Sequence, residues 1–201
     1  MNIFLHFPRS PPFELLIYYI YCDIIKIIIP TGSEFKMEQK MDSFYYKGLE
    51  HLKDDISIVE SFYQKGILEG SAKCMYGLAI LFLKNYSSSD NRANELFNKA
   101  FPLLLDEAKN NDAVSQRMVS CYYLMGNRGV ERNIDKAKQW LIKSAENGDV
   151  DAQINLADSY KKGDFFEKDM GKTIEWYKKA AEAGSTKAVE RLKELENEKN
   201  A

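Results

Sequence analysis

VERNIDKAKQWLIKSAENG (residues 130–148) and FEKDMGKTIEWYKKAAEAG (residues 166–184) are two versions of one segment. Trp140 and Trp176 are separated by 36 residues, as are the glycines that close the two copies. A period of this length, carried on sequence rich in Lys, Glu and Ala, is typical of an array of stacked helical repeats. The two copies therefore predict an all-α fold.

A stripe of apolar and small residues at spacing i, i+4, i+5 and i+8 marks the first helix of each predicted pair. The stripe begins at Ala72, Val114 and Ala152, so these three positions are aligned as equivalent. The second helix of each pair carries a tryptophan, which Leu96 replaces in the earliest full copy. Because the tryptophans recur at the repeat period, they are interpreted as core residues rather than as stacking platforms for a ligand.

Domain boundaries follow from this alignment. It predicts a leader at residues 1–36, a degenerate repeat at 37–70, full repeats at 71–111, 112–148 and 149–184, and a capping helix at 185–201. Helices are expected at 37–48 and 54–66, each ending at a glycine in the left-handed conformation.

Two departures from the period are also predicted. About five extra residues around Pro102 indicate an extended or kinked second helix, because a proline removes a backbone hydrogen bond. The loop at 126–129 is expected to be longer by two residues than its counterpart in the next repeat.

The leader differs in composition from the rest of the chain. Residues 13–30 are apolar and aromatic, but Glu14, Asp23 and Lys26 would each cost roughly 2.5 to 3.5 kcal/mol near the centre of a bilayer. Residues 32–35 (GSEF) match what two adjacent cloning sites encode, and Met37 offers a start before the helical pattern. Three interpretations stay open: a vector-derived leader, a membrane-associating or signal segment, and an additional helix or strand.

Charge and cysteine content exclude several classes of function. The 28 basic and 30 acidic residues give a net charge of -2, so no basic field is expected to hold nucleic acid. Three widely separated cysteines indicate no disulfide framework, and the two histidines have no partner at metal-ligand spacing. No cofactor or metal is predicted, and the expected location is the cytoplasm, with export or membrane anchoring through residues 13–30 as the alternative.

One family carries this pattern. The segment A152-x-x-x-L-A-x-x-Y-x-x-G163, followed by Asp169, Lys172 and W176-Y-K-K-A-A-E-x-G184, resembles the Sel1-like repeat, a relative of the tetratricopeptide repeat. The resemblance implies a right-handed solenoid of antiparallel helix pairs, with three to four repeats and a concave surface that holds proteins or peptides. It also implies roles as adaptors and, in bacteria, as host-interaction factors, regulators or immunity proteins.

The sequence shows no pattern typical of catalysis. No nucleophile and base are paired, and no paired carboxylates stand out. Gly126-x-x-Gly129 lacks the lysine and the serine or threonine of a phosphate-binding loop, so it is interpreted as a turn between two helices. The chain is therefore predicted not to be an enzyme.

A partner-binding surface is expected on the first helices, at positions outside the stripe, because these line the inner face of stacked helix pairs. The predicted residues are Ser115, Arg117, Ser120, Gln153, Asn155 and Asp158. The alignment places Arg117 beside Asn155 and Ser120 beside Asp158, which predicts a polar groove for an extended segment. The alternative is that these side chains are only solvated.

The leading hypothesis is a non-enzymatic interaction module that binds a protein or peptide on its concave face. The alternative is an envelope-anchored bacterial accessory or immunity-type protein, with residues 13–30 as its anchor.

Overall fold

The computed structural model describes residues 43–52, 56–85, 91–126 and 129–200. The leader at 1–36, with the suggested anchor at 13–30, lies outside these ranges. Within them every regular element is a helix. The nine helices are α1 Ser43–Glu50, α2 Ile56–Leu68, α3 Ala72–Asn85, α4 Arg92–Lys109, α5 Ala113–Met125, α6 Ile134–Glu146, α7 Val150–Lys162, α8 Met170–Glu182 and α9 Thr186–Asn200.

The helices pack in chain order, each against the helices before and after it. Helices α3, α5 and α7 are first helices of their pairs, and α4, α6 and α8 are the second helices. This arrangement confirms the predicted all-α repeat solenoid. Among the described helices, none combines the length and the apolar character that crossing a bilayer requires.

One junction motif ends each pair and begins the next. A residue in the left-handed conformation is followed at once by the N-cap of the next first helix, as in Gly148–Asp149 and Gly184–Ser185. In the first of these, the Gly148 amide donates to the Ala145 carbonyl and the Asp149 amide to the Ser144 carbonyl. These are the two bonds of a Schellman motif, so the same residues end one helix and orient the next.

The predicted glycine roles hold for Gly148 and Gly184 but not for the degenerate repeat. Gly48 and Gly66 lie inside helices, where a Cβ atom would sit 2.2 Å from Tyr63 Cε1 and from Cys74 Sγ, respectively. They permit close packing of helices. Gly70, with φ of 89°, takes the left-handed position instead, so α2 ends two residues later than predicted.

The N-caps correct the alignment of the first helices. The amides of Cys74, Ser115 and Ala152 each donate to the cap side chain three residues earlier, so these three residues are equivalent. The predicted equivalence of Ala72 and Val114 with Ala152 is wrong. The apolar stripe does not fix the alignment, because small residues flank it on both sides. Shifting one helix against another by one or two residues therefore leaves the pattern unchanged.

The loop between α5 and α6 is correspondingly shorter than predicted. Seven residues separate the left-handed Gly126 from the N-cap Asn133, and six separate Gly163 from Asp169. The loop therefore carries one extra residue rather than two.

Helix α4 confirms the predicted extension. It has 18 residues, whereas α6 and α8 have 13, and Pro102 lies inside it. Eleven residues separate Ala100 from the left-handed Asn111, and four separate Ser144 from Gly148. The insertion is thus seven residues rather than about five as predicted, and because seven residues make about two helical turns, the same face of α4 stays against the core.

Buried apolar side chains form two clusters along the array. The first extends from α1 to α5 and includes Phe97 and Tyr122. The second extends from α6 to α9 and includes Leu156 and Tyr177. Trp176 is buried in the second cluster, and Trp140 packs half-buried against the first, as expected of core residues.

Candidate interaction surface on the first helices

Three of the six predicted surface residues are buried. Ser120 Oγ donates to the Ala137 carbonyl at 2.7 Å, and Gln153 Nε2 donates to the Ala145 carbonyl at 3.1 Å. Ser115 Oγ donates to Glu107 Oε2 at 2.5 Å. All three serve internal hydrogen bonds, so the expectation that they face a groove is wrong. The misplaced alignment caused the error, since Ser120 is equivalent to Ala157 and not to Asp158.

Arg117 connects one repeat to the next. Its Nε lies 2.8 Å from Asp149 Oδ1, and its Nη2 lies 3.4 Å from Asp151 Oδ2. Asp149 is the N-cap of α7 and is itself buried. Burial raises the pKa of the Asp149 carboxyl, and the opposing effect of the Arg117 charge is smaller. Arg117 therefore orients α7 relative to α5, and its equivalent in α7 is Ile154 rather than Asn155.

A similar cluster lies one junction earlier. The buried Lys73 places its Nζ 3.1 Å from Glu107 Oε2 and 3.3 Å from Asp112 Oδ2. Asp112 is the N-cap of α5, as Asp149 is of α7. Each of these two junctions thus holds one cation between two carboxylates, one of which caps the following first helix. Removing a single member would leave uncompensated buried charge.

Of the six predicted residues, Asn155 and Asp158 are half-buried on α7. The Tyr177 hydroxyl donates to Asp158 Oδ1, which joins α7 to α8. Burial, together with the charge of Asp158, raises the pKa of Tyr177.

Gln116, the equivalent of Gln153 one repeat earlier, escaped the sequence prediction. Gln116 Nε2 donates to the Ala108 carbonyl at 2.9 Å, as Gln153 does to Ala145 one repeat later. Gln116 Oε1 accepts from Asn147 Nδ2 at 2.8 Å, whereas the buried Gln153 Oε1 has no hydrogen-bond partner. In the sequence, each of these glutamines lies four residues after an aspartate cap. This recurring spacing could have predicted them, but it is recognised only when the first helices are aligned correctly.

In the part of the chain that the structure describes, no group of three or more His, Cys, Asp or Glu side chains is arranged to hold a metal ion. Cys74 is buried and Cys121 half-buried, and neither is in a disulfide. The described polar groups hold helices together and offer hydrogen bonds and charge.

The repeat pattern is that of a known family. The Sel1 repeat model matches residues 72–101, 113–149 and 150–185, about half of the chain. The chain therefore belongs to the Sel1 repeat family. Sel1 repeats are generally protein-interaction modules, and proteins built from them are typically non-catalytic scaffolds.

Individual relatives share the repeat over part of their length. A putative Sel1-like repeat-containing protein of Acanthamoeba polyphaga mimivirus is 36% identical over 86 residues, which are 43% of this chain and 15% of that protein.

Two solved structures are similar at a lower level. A protective antigen of uropathogenic Escherichia coli with an SLR fold has a TM-score of 0.45 and 22% identity, over 74% of this chain and 31% of that one. A Sel1 repeat protein from Oxalobacter formigenes has a TM-score of 0.42 and 21% identity, over 77% of this chain and 44% of that one. This chain thus spans less than half of the length of each of these three proteins.

Proposed function

We propose that this chain is a non-enzymatic adaptor that binds an extended segment of another protein along its first helices. The observation that supports this is a row of half-buried side chains at the same two positions, nine and twelve residues after the cap, on α3, α5 and α7. The members of this row, called here the first-helix row, are Ile80, Leu83, Cys121, Leu124, Asp158 and Lys161.

The chemistry of the row changes along the array. It is apolar on α3 and mostly apolar on α5, and it becomes charged on α7, where Asn155 lies three residues before Asp158. An extended segment with apolar side chains at one end and hydrogen-bonding groups at the other complements such a row. Arg117 is half-buried on α5, and its charge is engaged by Asp149 and Asp151, so it holds α7 beside α5.

The test uses one matched pair of substitutions. Asn155→Arg adds a positive charge and bulk beside the row, and Gln139→Arg makes the same chemical change at an exposed position of the second helix α6. The full chain and both variants are used as bait in lysate of the source cell, and circular dichroism verifies equal helix content. We expect a partner to be retained by the wild type and by Gln139→Arg, and to be lost from Asn155→Arg.

Hydrogen exchange of the isolated complex then locates the contact. Binding is expected to slow exchange in α5 and α7 more than in α6 and α8. Equal retention by both variants, or protection confined to the second helices, would contradict the proposal.

We also place the protein in the cytoplasm, on the ground that Cys74 and Cys121 carry thiols rather than disulfides. Cell fractionation with an antibody against residues 129–200 tests this placement. Recovery in the membrane fraction would favour the anchored alternative.

A further inference from the structure

Helix α9 stands where a further first helix would stand. Its cap is Ser185, whose Oγ accepts from the Ala188 amide at 3.2 Å, as Asp149 accepts from Ala152 in α7. Ala188 is completely buried, and so is Ala152. By this register, Leu192 corresponds to Leu156. The family match ends at residue 185, immediately before α9.

The junction between α8 and α9 has different residues at the positions that form polar connections at earlier junctions. Val189 stands where α5 and α7 carry the glutamine that bonds to the preceding second helix. The cap is a serine instead of an aspartate, and Ile154 occupies the position from which Arg117 reaches the next cap. Neither the glutamine bond nor the cation between two carboxylates is therefore formed by these positions.

Helix α9 is attached by apolar side chains and by charges, which include Arg191 near Asp158. Ala188 and Leu195 are its buried apolar side chains, and Leu192 is half-buried against the same cluster. Its ion pair from Glu198 to Lys161, at 2.9 Å, joins side chains that are 58% and 29% exposed, so water screens it. Elements with few buried apolar contacts are those that open first.

The opposite face of α9 is charged. Lys193 is exposed where Ser120 and Ala157 are buried in α5 and α7, and Glu196 replaces their tyrosines. The buried apolar side chains of α9 are therefore confined to the side that lies against α7 and α8. This is the character of an amphipathic helix seated in a groove.

We propose that α9 is a detachable cap over a helix-docking groove formed by α7 and α8, and that an amphipathic helix of a partner protein takes its place there. The partner helix carries Ala-x-x-x-Leu-x-x-Leu, the pattern of Ala188, Leu192 and Leu195. A basic residue three positions after the alanine faces Asp158, as Arg191 does, and an acidic residue ten positions after it faces Lys161. This groove shares Asp158 and Lys161 with the first-helix row, because α9 presents Arg191 and Glu198 to these two residues.

Hydrogen exchange of the unmodified full chain gives the first test. The amides of α9 are expected to exchange at least ten times faster than those of α8. Exchange of both helices at one common rate would show that α9 opens only when the array unfolds, and would overturn the proposal.

A peptide corresponding to residues 185–200, carrying a fluorophore, gives the second test. Leu195→Asp and Leu192→Asp each loosen the cap through a different contact, whereas Val189→Asp places the same charge on an exposed position of α9. The peptide is expected to bind the loosened variants at least tenfold more tightly than it binds the wild type or Val189→Asp. The same peptide with aspartate at the positions of Leu192 and Leu195 is expected not to bind.

Helix content, measured by circular dichroism, shows which of Leu195→Asp and Leu192→Asp still folds. The hydrogen-exchange test uses the wild-type chain and needs neither variant. Equal peptide affinity for a folded, loosened variant and for Val189→Asp would overturn the proposal. The exchange and peptide tests use neither Asn155 nor the lysate partner, so failure of the adaptor test and failure of this one are separate outcomes.

Discussion

Gln116 and Gln153 show how a single position differs between otherwise equivalent repeats. Both side chains donate to the last turn of the preceding second helix. Asn147 supplies the second bond to Gln116, but Ala183 stands 36 residues later, where the corresponding donor for Gln153 would be. Asn147 and Ala183 have nearly the same backbone conformation, with φ of -80° and -77°. A buried acceptor without a partner carries a desolvation cost.

Ala183→Asn is therefore expected to raise the free energy of unfolding by about 1 kcal/mol, because its amide would donate to Gln153 Oε1. Chemical denaturation of the variant and the wild type measures the difference. The control is the same substitution in a Gln153→Met background, where the gain should vanish. An equal gain in both backgrounds would assign the effect to the helix terminus instead.

Arg117→Met is expected to lower the free energy of unfolding by about 3 kcal/mol at pH 7, because Asp149 and Asp151 lose their shared cation. Arg191→Met, which removes a more exposed pair with Glu194, should cost less than about 1 kcal/mol. Denaturation curves of the two variants measure the contrast. Similar losses would contradict the structural role assigned to Arg117.

The Arg117→Met deficit should also depend on pH. Burial raises the folded pKa of Asp149, and losing the Arg117 charge raises it further. A group with a raised folded pKa stabilises the fold below its unfolded pKa and loses that contribution as pH rises through the folded pKa. The loss in the free energy of unfolding caused by Arg117→Met should therefore become smaller as pH falls from 7 toward 5. Adding Asp149→Asn to both proteins should remove this pH dependence.

At the scale of elements, α4 shows how a solenoid tolerates an insertion. Seven extra residues add about two turns, so the helix lengthens and keeps its buried face. Leu104 and Ala108 continue the stripe of Ala93, Phe97 and Ala100 into the added turns. The insertion thus extends the core of the first cluster instead of forming a loop.

Leu104→Ala is expected to lower the free energy of unfolding by about 3 kcal/mol, since it removes a completely buried side chain from the added turns. The adjacent Leu103 is 44% exposed, so Leu103→Ala should change stability by less than about 0.5 kcal/mol. Thermal and chemical denaturation of the two variants compare them directly. Equal effects would mean that the added turns do not belong to the core.

At the scale of the whole molecule, the two apolar clusters meet within α6, where Trp140 packs against the first and Leu141 belongs to the second. Polar contacts cross between α5 and the helices that follow, including Arg117 with Asp149 and Asn147 with Gln116. In a repeat array each unit contacts mainly its neighbours, so destabilisation is expected to stay local.

Leu156→Ala should therefore speed amide exchange in α7, α8 and α9 while leaving α3 and α4 within about threefold of the wild type. Leu104→Ala should produce the reverse distribution. Hydrogen exchange with mass spectrometry, read helix by helix, measures both. Uniform acceleration along the whole chain in either variant would show that the array unfolds as one unit.

The sequence pattern predicted the second helices well and the first helices less well. Trp140, Trp176 and their closing glycines are distinctive residue types, so their alignment admits one solution. The first helices carry small and apolar residues on several sides, and a shift of one or two positions leaves the stripe intact. The partner-binding role of Arg117, Asn155 and Asp158 stays a prediction, whereas the burial of Ser115, Ser120 and Gln153 removes them from the surface.

By itself, the sequence determined the all-α repeat class, the pairing of helices and the extended α4, because these depend on local helical periodicity and on glycine at the helix ends. Only the tertiary structure decided the register of the first helices and the buried cation clusters at two junctions. The clusters depend on contacts between residues about 30 or more positions apart, such as Arg117 with Asp149, and no local pattern specifies which side chains meet. The register depends on local caps that accept from the amide three residues later, but the sequence alone does not show which of its serines and aspartates serve as caps.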